Sequence, residues 1–346
     1  MALRIGLIAP VWFPVPPPRY GGIELVVSLL ADGLVDAGHE VTLFASGDSH
    51  TKARVSWVYP EAPSDSIGMA EPELRHALSC YARHAEFDVV HDHSGPWAAV
   101  LGGSVDTPVV HTAHGPLDGV PGEIYALVAR VAPGVGLVSI SQNQRRPRPE
   151  LPWVATVPNA IDLSLYPVKP HQGEYLLFLG RMTSDKGCHR AIAVARELGL
   201  PLRIAGKRRD PEELEYFAQF VEPHLGHNDI EYLGEVPHGR KVELLQDARA
   251  TLFLIDWEEP FGLVMIESMA CGTPVIATRH GAVPEVIEHG VSGVIVDHFR
   301  EMAAALAAAD ALDPLECRRY VERRFSPERM VADYVAVYEA AIERRR

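Results

Sequence analysis

Short apolar runs alternate along this chain with longer segments in which apolar residues recur at helical spacing. Residues 3–9 and 40–45 have the length and composition of buried strands, and residues 22–37 between them carry a helical pattern that ends at Gly38. Parallel strands require a crossover of a dozen or more residues, usually a helix, and such crossovers are right-handed. The alternation therefore predicts an α/β fold with doubly wound parallel sheets.

The alternation continues to the C-terminus and predicts two domains, which the length of 346 residues also suggests. Further strands are predicted at residues 88–91, 108–112, 136–141, 175–180, 201–205, 230–233, 250–255, 274–277 and 293–296, and further helices at residues 71–86, 187–198, 211–222 and 326–345. The polar stretch of residues 162–173, with Pro167 and Pro170, is the predicted linker. The predicted domains are residues 1–163 and 164–325, followed by a final helix over residues 326–346.

Composition excludes several classes of protein. Four cysteines lie far apart without a Cys-x-x-Cys spacing, which disfavours a disulfide framework or a structural zinc site and predicts a reducing, cytoplasmic compartment. A formal net charge of −14 disfavours nucleic acid and stable binding to anionic membranes as partners. The sequence contains no apolar run of the roughly 18 residues that a membrane-spanning helix needs.

An acidic segment, residues 258–267, follows a predicted strand and opens a helix. Glu259 lies in the loop, Gly262 breaks regular structure, and Glu267 lies within the helix. The amides near Gly262 and Leu263 would cradle an anion, and a carboxylate with two acceptor oxygens can bind a vicinal diol such as a ribose. The spacing alone is equally compatible with an acidic loop and a solvated helix carboxylate.

Two other turns follow predicted strands and open helices. Arg181 and Lys186 bracket one turn, where two cations would hold a diphosphate and stabilise its charge as a leaving group. Gly21 and Gly22 form the other, where paired glycines allow close approach of a ligand. The alternatives are exposed cations and a flexible turn. Since the sequence has no Asp-x-Asp pair to hold a divalent ion on a diphosphate, we predict that cations and helix amides replace a metal.

Two histidine pairs end predicted strands, His91 with His93 and His111 with His114. If those strands are neighbours, four imidazoles converge, and neutral imidazoles bind zinc. Neither pair has the i, i+4 spacing of a zinc protease. We therefore favour hydrogen bonds from the imidazoles to hydroxyl groups over zinc binding. For His91, His93 and His111 we favour a third interpretation over both, a simple polar rim at the strand ends.

The order of these segments resembles that of glycosyltransferase family 4. Residues 259–263 with Glu267 resemble its Glu-x7-Glu motif, and residues 269–277 fit the same family. Further matches occur in the family's order at Gly21-Gly22, His114-Gly115, residues 158–162, Gly180-Arg181 with Lys186, and Pro284-Glu285. The resemblance covers nearly the whole chain, and the joint order of these modest motifs is specific.

This resemblance implies a GT-B fold, in which two Rossmann-like domains flank a donor cleft and the final helix crosses back to the first domain. It implies a retaining enzyme that needs no metal or other cofactor and moves a sugar from a nucleotide-diphosphate sugar to an acceptor hydroxyl. Same-face attack is the mechanism thought to operate in the family. Glu259 is therefore expected to give electrostatic support rather than to attack as a nucleophile.

The resemblance also implies roles for individual residues. Glu259 should face the donor sugar at the reacting centre, and His114 should touch the sugar or help stabilise the transition state. Glu267 should bind the ribose hydroxyls. Arg181 and Lys186 should hold the diphosphate, which Gly22 should approach by its backbone. The other expected binding residues are Gly21 beside Gly22, Phe261, Gly262 and Leu263 through loop and amides, Val236 at the base through its backbone, and Ser141 and Asn159 near the cleft.

Alternatives remain open on sequence alone. Another GT-B enzyme, such as a nucleotide-sugar epimerase or a phosphorylase, would use the same donor residues. A non-catalytic nucleotide-sugar-binding module would have no purpose for Glu259, and a zinc hydrolase would use the histidines. The chain is short for the family and has no basic amphipathic helix, which favours an acceptor that is soluble or reached without strong membrane docking. The proline-rich loop of residues 12–20 is the predicted acceptor contact.

Overall fold

A computed structural model describes residues 2–18, 21–169 and 173–345, apart from the side chain of Phe299. The chain forms two compact units, one of Met1–Ile161 with Pro327–Arg346 and the other of Asp162–Ser326. The division after Ile161 lies two residues before the predicted one. Residues 170–172 of the predicted linker and residues 19 and 20 of the predicted acceptor loop lie outside the described residues.

The first unit is built on a seven-stranded parallel sheet. Its strands are β1 (Arg4–Ile8), β2 (Glu40–Phe44), β3 (Arg54–Ser56), β4 (Val89–Asp92), β5 (Val109–Thr112), β6 (Val135–Ser139) and β7 (Trp153–Thr156). Their order across the sheet is β3-β2-β1-β4-β5-β6-β7. Strands β3 and β7 were not predicted, because edge strands are partly exposed and need not form an apolar run.

The helices of the first unit include one from the far end of the chain. They are α1 (Gly22–Asp36), α2 (Ala70–Tyr81), α3 (Pro96–Ala99), α4 (Gly119–Val131), α5 (Gln142–Arg145) and α13 (Pro327–Arg345). Helix α13 contacts α1, β4 and β5, and buries Met330, Tyr334, Tyr338 and Ala341 at helical spacing. The last helix therefore completes the core of the first unit.

The second unit contains a six-stranded parallel sheet. Its strands are β8 (Tyr175–Leu179), β9 (Leu202–Ala205), β10 (Ile230–Tyr232), β11 (Ala248–Phe253), β12 (Val275–Thr278) and β13 (Gly293–Val296), in the order β10-β9-β8-β11-β12-β13. Its helices are α6 (Cys188–Leu198), α7 (Pro211–Phe220), α8 (His238–Asp247), α9 (Leu263–Ala270), α10 (Val283–Val286), α11 (Met302–Asp310) and α12 (Pro314–Arg324).

Each sheet reverses its strand order beside the first strand of the unit. Strand β1 lies between β2 and β4, and β8 lies between β9 and β11. Both units therefore have the doubly wound, Rossmann-like topology that the sequence predicts. In such sheets ligands bind outside the carboxyl ends of the strands at the switch point. Within the described ranges, no helix is long and apolar enough to cross a membrane.

Candidate functional site

Two loops meet at the switch point of the second unit. Residues 180–187 follow β8, and residues 254–262 follow β11. The amide of Asp256 donates a hydrogen bond of 2.9 Å to the carbonyl of Asp185. The guanidinium of Arg190, in α6, bonds both loops. It donates to the carbonyls of Ser184 (3.0 Å) and Asp185 (3.1 Å) in the first loop and of Leu254 (2.7 Å) in the second. The two predicted loops are thus fixed side by side.

The close approach of these loops requires a glycine. Gly187 precedes α6 with φ +80°, and a Cβ atom there would lie 2.1 Å from the carbonyl oxygen of Leu254. Arg190 is not a residue that sequence patterns single out. Its hydrogen-bond partners are backbone carbonyls, which leave no signal in residue type.

Lys186 and Glu259 form an ion pair across the two loops. Their side chains are 17% and 12% exposed, so the pair is shielded from water on most sides. The ammonium of Lys186 also lies 4.4 Å from the centre of the Trp257 ring, which adds a cation–π contact. The cation predicted to bind diphosphate and the carboxylate predicted to face the sugar are therefore in direct contact. Trp257 was not predicted, although an aromatic residue inside an acidic loop was a visible signal.

Arg181 lies in the same loop as Lys186 but has a different partner. Its guanidinium is 3.9 Å from the carboxylate of Glu213, and the Arg181 side chain is 40% exposed. Glu213 is buried and also accepts a hydrogen bond of 2.8 Å from the amide of Arg209 at the start of α7. Arg181 is therefore anchored at one side and open at the other, as a ligand-binding cation must be.

The backbone of Glu259 is held by the segment that follows β12. The amide of Ala282 donates a hydrogen bond of 2.9 Å to the carbonyl of Glu259. Gly281 has φ +55°, and a Cβ atom there would lie 2.3 Å from the amide nitrogen of Glu259. Only a glycine permits this contact, so the position of Glu259 depends on a residue 22 positions later in the chain.

Glu267 is buried in α9 and does not point into bulk water. Its Oε1 atom accepts hydrogen bonds from the Tyr166 hydroxyl (2.8 Å) and the Lys241 ammonium (2.6 Å). Burial, and then the neighbouring carboxylate, raise the pKa of Tyr166, which keeps its hydroxyl protonated. The alternative of a solvated helix carboxylate is therefore wrong. Neither Tyr166 nor Lys241 was predicted, because both lie far from Glu267 in sequence.

The remaining predicted residues of this unit lie in loops or at the first turn of a helix. Gly262 caps α9 and Leu263 is its first residue, so the free amides of that helix lie where the sequence predicts. The ring of Phe261 is buried and packs edge-on against Phe325 at 5.7 Å between ring centres. Phe261 therefore offers a ligand its backbone only. Val236 is half-buried between β10 and α8.

The paired glycines of the first unit lie at the start of α1, in the segment that follows β1. Gly21 precedes the helix and Gly22 is its first residue. Glu24, in the first turn, is buried, and this burial raises its pKa to about 7. The helix start is thus at the carboxyl edge of the sheet, beside the switch point of the first unit.

The four histidines divide between the two faces of the first sheet. In the register between β4 and β5, Asp92 pairs with His111, so these side chains share one face. Successive side chains alternate between the two faces, so His91 points to the opposite face. His93, two residues later, lies on the same face as His91. His93 in turn contacts His114 on that face. The expected convergence of all four imidazoles is therefore wrong.

The expectation of a polar rim is also wrong, because His91, His93 and His111 are buried. The hydroxyl-bonding reading is correct for two of them. Nε2 of His111 lies 2.8 Å from the Tyr125 hydroxyl, and Nε2 of His91 lies 2.8 Å from the Thr112 hydroxyl. Among the described residues, no group of three or more potential ligands is placed to hold a metal ion.

His114 belongs to a line of hydrogen-bonded side chains. Its Nε2 atom lies 2.8 Å from Nδ1 of His93, and Nε2 of His93 lies 3.2 Å from Nδ1 of His91. That Nδ1 atom of His91 is 2.7 Å from the hydroxyl of Tyr338 in α13. Burial lowers the pKa of His114 to about 3, and it lowers the pKa of His91 and His93 well below the usual range. All three imidazoles are therefore neutral at pH 7.

Ser141 and Asn159 have internal partners in the first unit. Ser141 caps α5, where its hydroxyl accepts a hydrogen bond of 3.1 Å from the amide of Gln144. Asn159 is buried, and its backbone carbonyl accepts a hydrogen bond of 3.2 Å from the guanidinium of Arg329, whereas its side-chain Oδ1 has no hydrogen-bond partner among the described residues. Both contacts position backbone near the ends of β6 and β7.

Comparisons with known proteins agree with this architecture. A model of the group 1 glycosyl transferases matches residues 167–324, and a model of glycosyltransferase family 4 matches residues 20–165, so the two together account for most of the chain. A phosphatidyl-myo-inositol mannosyltransferase of Mycolicibacterium smegmatis is 29% identical over 339 residues, which cover 88% of this chain and 84% of that protein.

Solved structures show the same fold. The crystal structure of AviGT4, a glycosyltransferase involved in avilamycin A biosynthesis, has a TM-score of 0.72 at 27% identity, and the match covers 99% of this chain and 98% of that one. Anabaena HepE in complex with UDP and glucose has a TM-score of 0.74 at 18% identity, over 97% and 99% of the two chains. With two doubly wound parallel sheets and both family matches, this chain belongs to the glycosyltransferases of the family 4 type and has the GT-B fold.

Proposed function

We propose that this enzyme transfers a sugar from a nucleotide-diphosphate sugar to an acceptor hydroxyl, with retention of configuration and without a metal ion. The observation that carries the proposal is the contact between Lys186 and Glu259 at the switch point of the second unit. That edge of a parallel sheet is where ligands bind. The contact joins a cation suited to a diphosphate with a carboxylate suited to a sugar.

The diphosphate is assigned to Arg181, Lys186 and the free amides that open α9. Both cations lie in the loop after β8, and the amides of Gly262 and Leu263 add the partial positive charge of a helix start. HepE, solved with UDP and glucose, supports a nucleotide-sugar donor of this kind. The relative from Mycolicibacterium smegmatis, a mannosyltransferase by name, supports a hexose as the transferred group.

The ribose is assigned to Glu267. Tyr166 and Lys241 both donate to Oε1 and fix the carboxylate, and Oε2 makes no hydrogen bond with the part of the chain that the structure describes. A carboxylate oxygen held in this way can accept hydrogen bonds from the two hydroxyls of a ribose. Fixing the carboxylate in advance lowers the entropic cost of binding.

In the proposed reaction the bond between the anomeric carbon and the phosphate oxygen breaks as the acceptor oxygen approaches the same face. The leaving diphosphate takes the acceptor proton, so the products are a glycoside and a nucleoside diphosphate. Arg181 and Lys186 stabilise the negative charge that develops on the leaving group. Because Lys186 already engages its carboxylate, Glu259 is assigned electrostatic support of the reacting centre rather than nucleophilic attack.

The first experiment is a thermal-shift screen against UDP-, GDP- and ADP-sugars in the presence of EDTA. A nucleotide sugar at a hundredfold its Kd stabilises the folded protein by about 2.7 kcal/mol. Release of nucleoside diphosphate is then measured with and without candidate acceptors, and the anomeric configuration of the product is read by NMR. An inverted product or a requirement for Mg²⁺ would refute the mechanism. Release that needs no acceptor would indicate an epimerase or a hydrolase instead.

The second experiment tests the site. Glu259→Gln and Arg181→Ala are expected to lower kcat by roughly a hundredfold or more, the size found when a preorganised electrostatic group is removed. Glu258→Gln, an exposed neighbour in the same loop, is the matched control and should stay near wild type. Folding is checked by circular dichroism. Near-native turnover in both site variants would overturn the assignment.

Support for a cytoplasmic location comes from the cysteines. Cys80, Cys188, Cys271 and Cys317 are all buried and none forms a disulfide. Such thiols are typical of proteins in a reducing compartment.

A further inference from the structure

The line of imidazoles that starts at His114 crosses the core of the first unit and ends on the last helix. His93 and His91 are its inner members, and Tyr338 of α13 closes it. The two ends are more than 220 residues apart in sequence. Polar groups buried at this depth need a partner for each donor and acceptor. The partners available therefore fix which nitrogen of each ring carries the proton.

The direction of the hydrogen bonds follows from Tyr338. Its hydroxyl is buried, and burial raises its pKa well above the usual range, so the phenol keeps its proton. Among the described residues, Nδ1 of His91 at 2.7 Å is the one hydrogen-bond partner of this hydroxyl, so the buried O–H, which needs an acceptor, donates to it. His91 is then the Nε2–H tautomer, and its Nε2–H donates to the Thr112 hydroxyl at 2.8 Å. Both nitrogens of His91 are satisfied in this arrangement.

The same logic passes along the line to His114. An unprotonated Nε2 of His93 would point its lone pair at the lone pair of His91 Nδ1 over 3.2 Å, so this Nε2 carries a proton and shares that acceptor with the Tyr338 hydroxyl. Nδ1 of His93 is then an acceptor and receives the Nε2–H of His114 over 2.8 Å. His114 is thus also the Nε2–H tautomer. Its Nδ1 atom carries a lone pair and makes no hydrogen bond with residues 2–18, 21–169 or 173–345.

We propose that His91 and His93, anchored by Tyr338, hold His114 in the Nε2–H tautomer so that its Nδ1 atom accepts a hydrogen bond from a substrate hydroxyl. His91 and His93 are then positioning residues, which act on the reaction through His114. The proposal rests on the proposed function only where it takes the partner of His114 to be a sugar or acceptor hydroxyl. It narrows the transition-state role expected for His114, because a neutral acceptor can orient a substrate hydroxyl for the reaction but does not neutralise developing negative charge.

The tautomers are measured directly in the free protein. Protein labelled with ¹⁵N-histidine gives long-range ¹H–¹⁵N spectra that separate the two tautomers, and single His→Gln variants assign the rings. We expect His91, His93 and His114 all to be Nε2–H. In His93→Phe, and in Tyr338→Phe should the first variant fail to fold, His114 should show both tautomers. An Nδ1–H tautomer of His114 in the wild type, or no change in either folded variant, would overturn the proposal.

Tyr125→Phe is the matched control. It also removes a phenol hydroxyl bonded to a buried histidine of the first unit, but that histidine, His111, lies on the other face of the sheet. The spectrum of His114 should therefore stay unchanged. If Tyr125→Phe changed the His114 spectrum as much as Tyr338→Phe does, any substitution in this core would have the effect. That result would refute a specific role for the line of imidazoles.

Kinetics separate this proposal from the proposed function. With UDP-glucose and GDP-mannose as donor probes, His93→Phe should lower kcat roughly tenfold while KM stays within about twofold, as expected for a misoriented catalytic contact. In protein that already carries His114→Ala, His93→Phe should not lower kcat further, because His93 acts on the reaction through the His114 ring. A full additional loss would refute the coupling. If none of the UDP-, GDP- and ADP-sugars is turned over, the proposed function fails while the tautomer result stands.

Discussion

Gly281 offers a test of how the fold positions Glu259. An alanine there would adopt φ +55°, which costs about 1–2 kcal/mol for an L-residue. Its Cβ atom would lie 2.3 Å from the nitrogen and 2.4 Å from the oxygen of Glu259, both rigid backbone atoms. Such overpacking adds about 1–3 kcal/mol, and the more rigid unfolded chain returns roughly 0.5 kcal/mol. We expect Gly281→Ala to lower the free energy of unfolding by about 3 kcal/mol.

To relieve the clash, the Gly281 turn and the Glu259 loop must move apart by about 1 Å, and a displacement of that size at Glu259 can cost roughly a hundredfold in turnover. Gly290→Ala is the control. Gly290 also has a left-handed φ of +80°, but no atom lies within 4 Å of the added Cβ. It should lose only about 1 kcal/mol and keep its activity. Urea unfolding and turnover are measured on the same preparations. Equal losses of stability and activity in both variants would refute the view that Gly281 holds Glu259 in place.

Arg190→Lys keeps the charge but loses the guanidinium group that bonds both loops. It should lower the free energy of unfolding in urea by about 2 kcal/mol and weaken nucleotide-sugar binding measured by calorimetry. Unchanged values would show that Arg190 does not hold the two loops together. Tyr166→Phe removes one hydrogen bond to Glu267 and should lower the free energy of unfolding by about 1 kcal/mol and raise the KM for the nucleotide sugar. A KM equal to that of the wild type would contradict the assignment of Glu267 to the ribose. Burial lowers the pKa of His76 to about 4 from 6.5. Unfolding therefore takes up a proton at His76 below pH 6.5, and this group alone should lower the free energy of unfolding by about 1.4 kcal/mol per pH unit as the pH falls from 6 to 4. In His76→Gln, the free energy of unfolding, measured in urea at several pH values, should depend less steeply on pH, by the amount that one proton contributes.

The sequence by itself determined the architecture and the loops that carry the site. The alternation of short apolar runs and helical patterns identifies both parallel sheets, since strands buried on both faces must be nearly continuous apolar segments. The same reasoning places Arg181, Lys186 and Glu259 just after strands, at the edge where such sheets bind ligands. It also places Gly262 and Leu263 at the start of α9, because glycine and the helical pattern are local signals.

Only the tertiary structure decided which side chains meet. Lys186 pairs with a carboxylate 73 residues away, and His91 bonds a hydroxyl 247 residues away, and no local pattern encodes such partners. The register between β4 and β5 sent His111 to the face opposite His91 and His93, which separated histidines that looked convergent in sequence. Burial turned an apparent polar rim into a neutral hydrogen-bonded line. A sequence specifies residue type and period, but partners and burial depend on how strands align and which surfaces pack together.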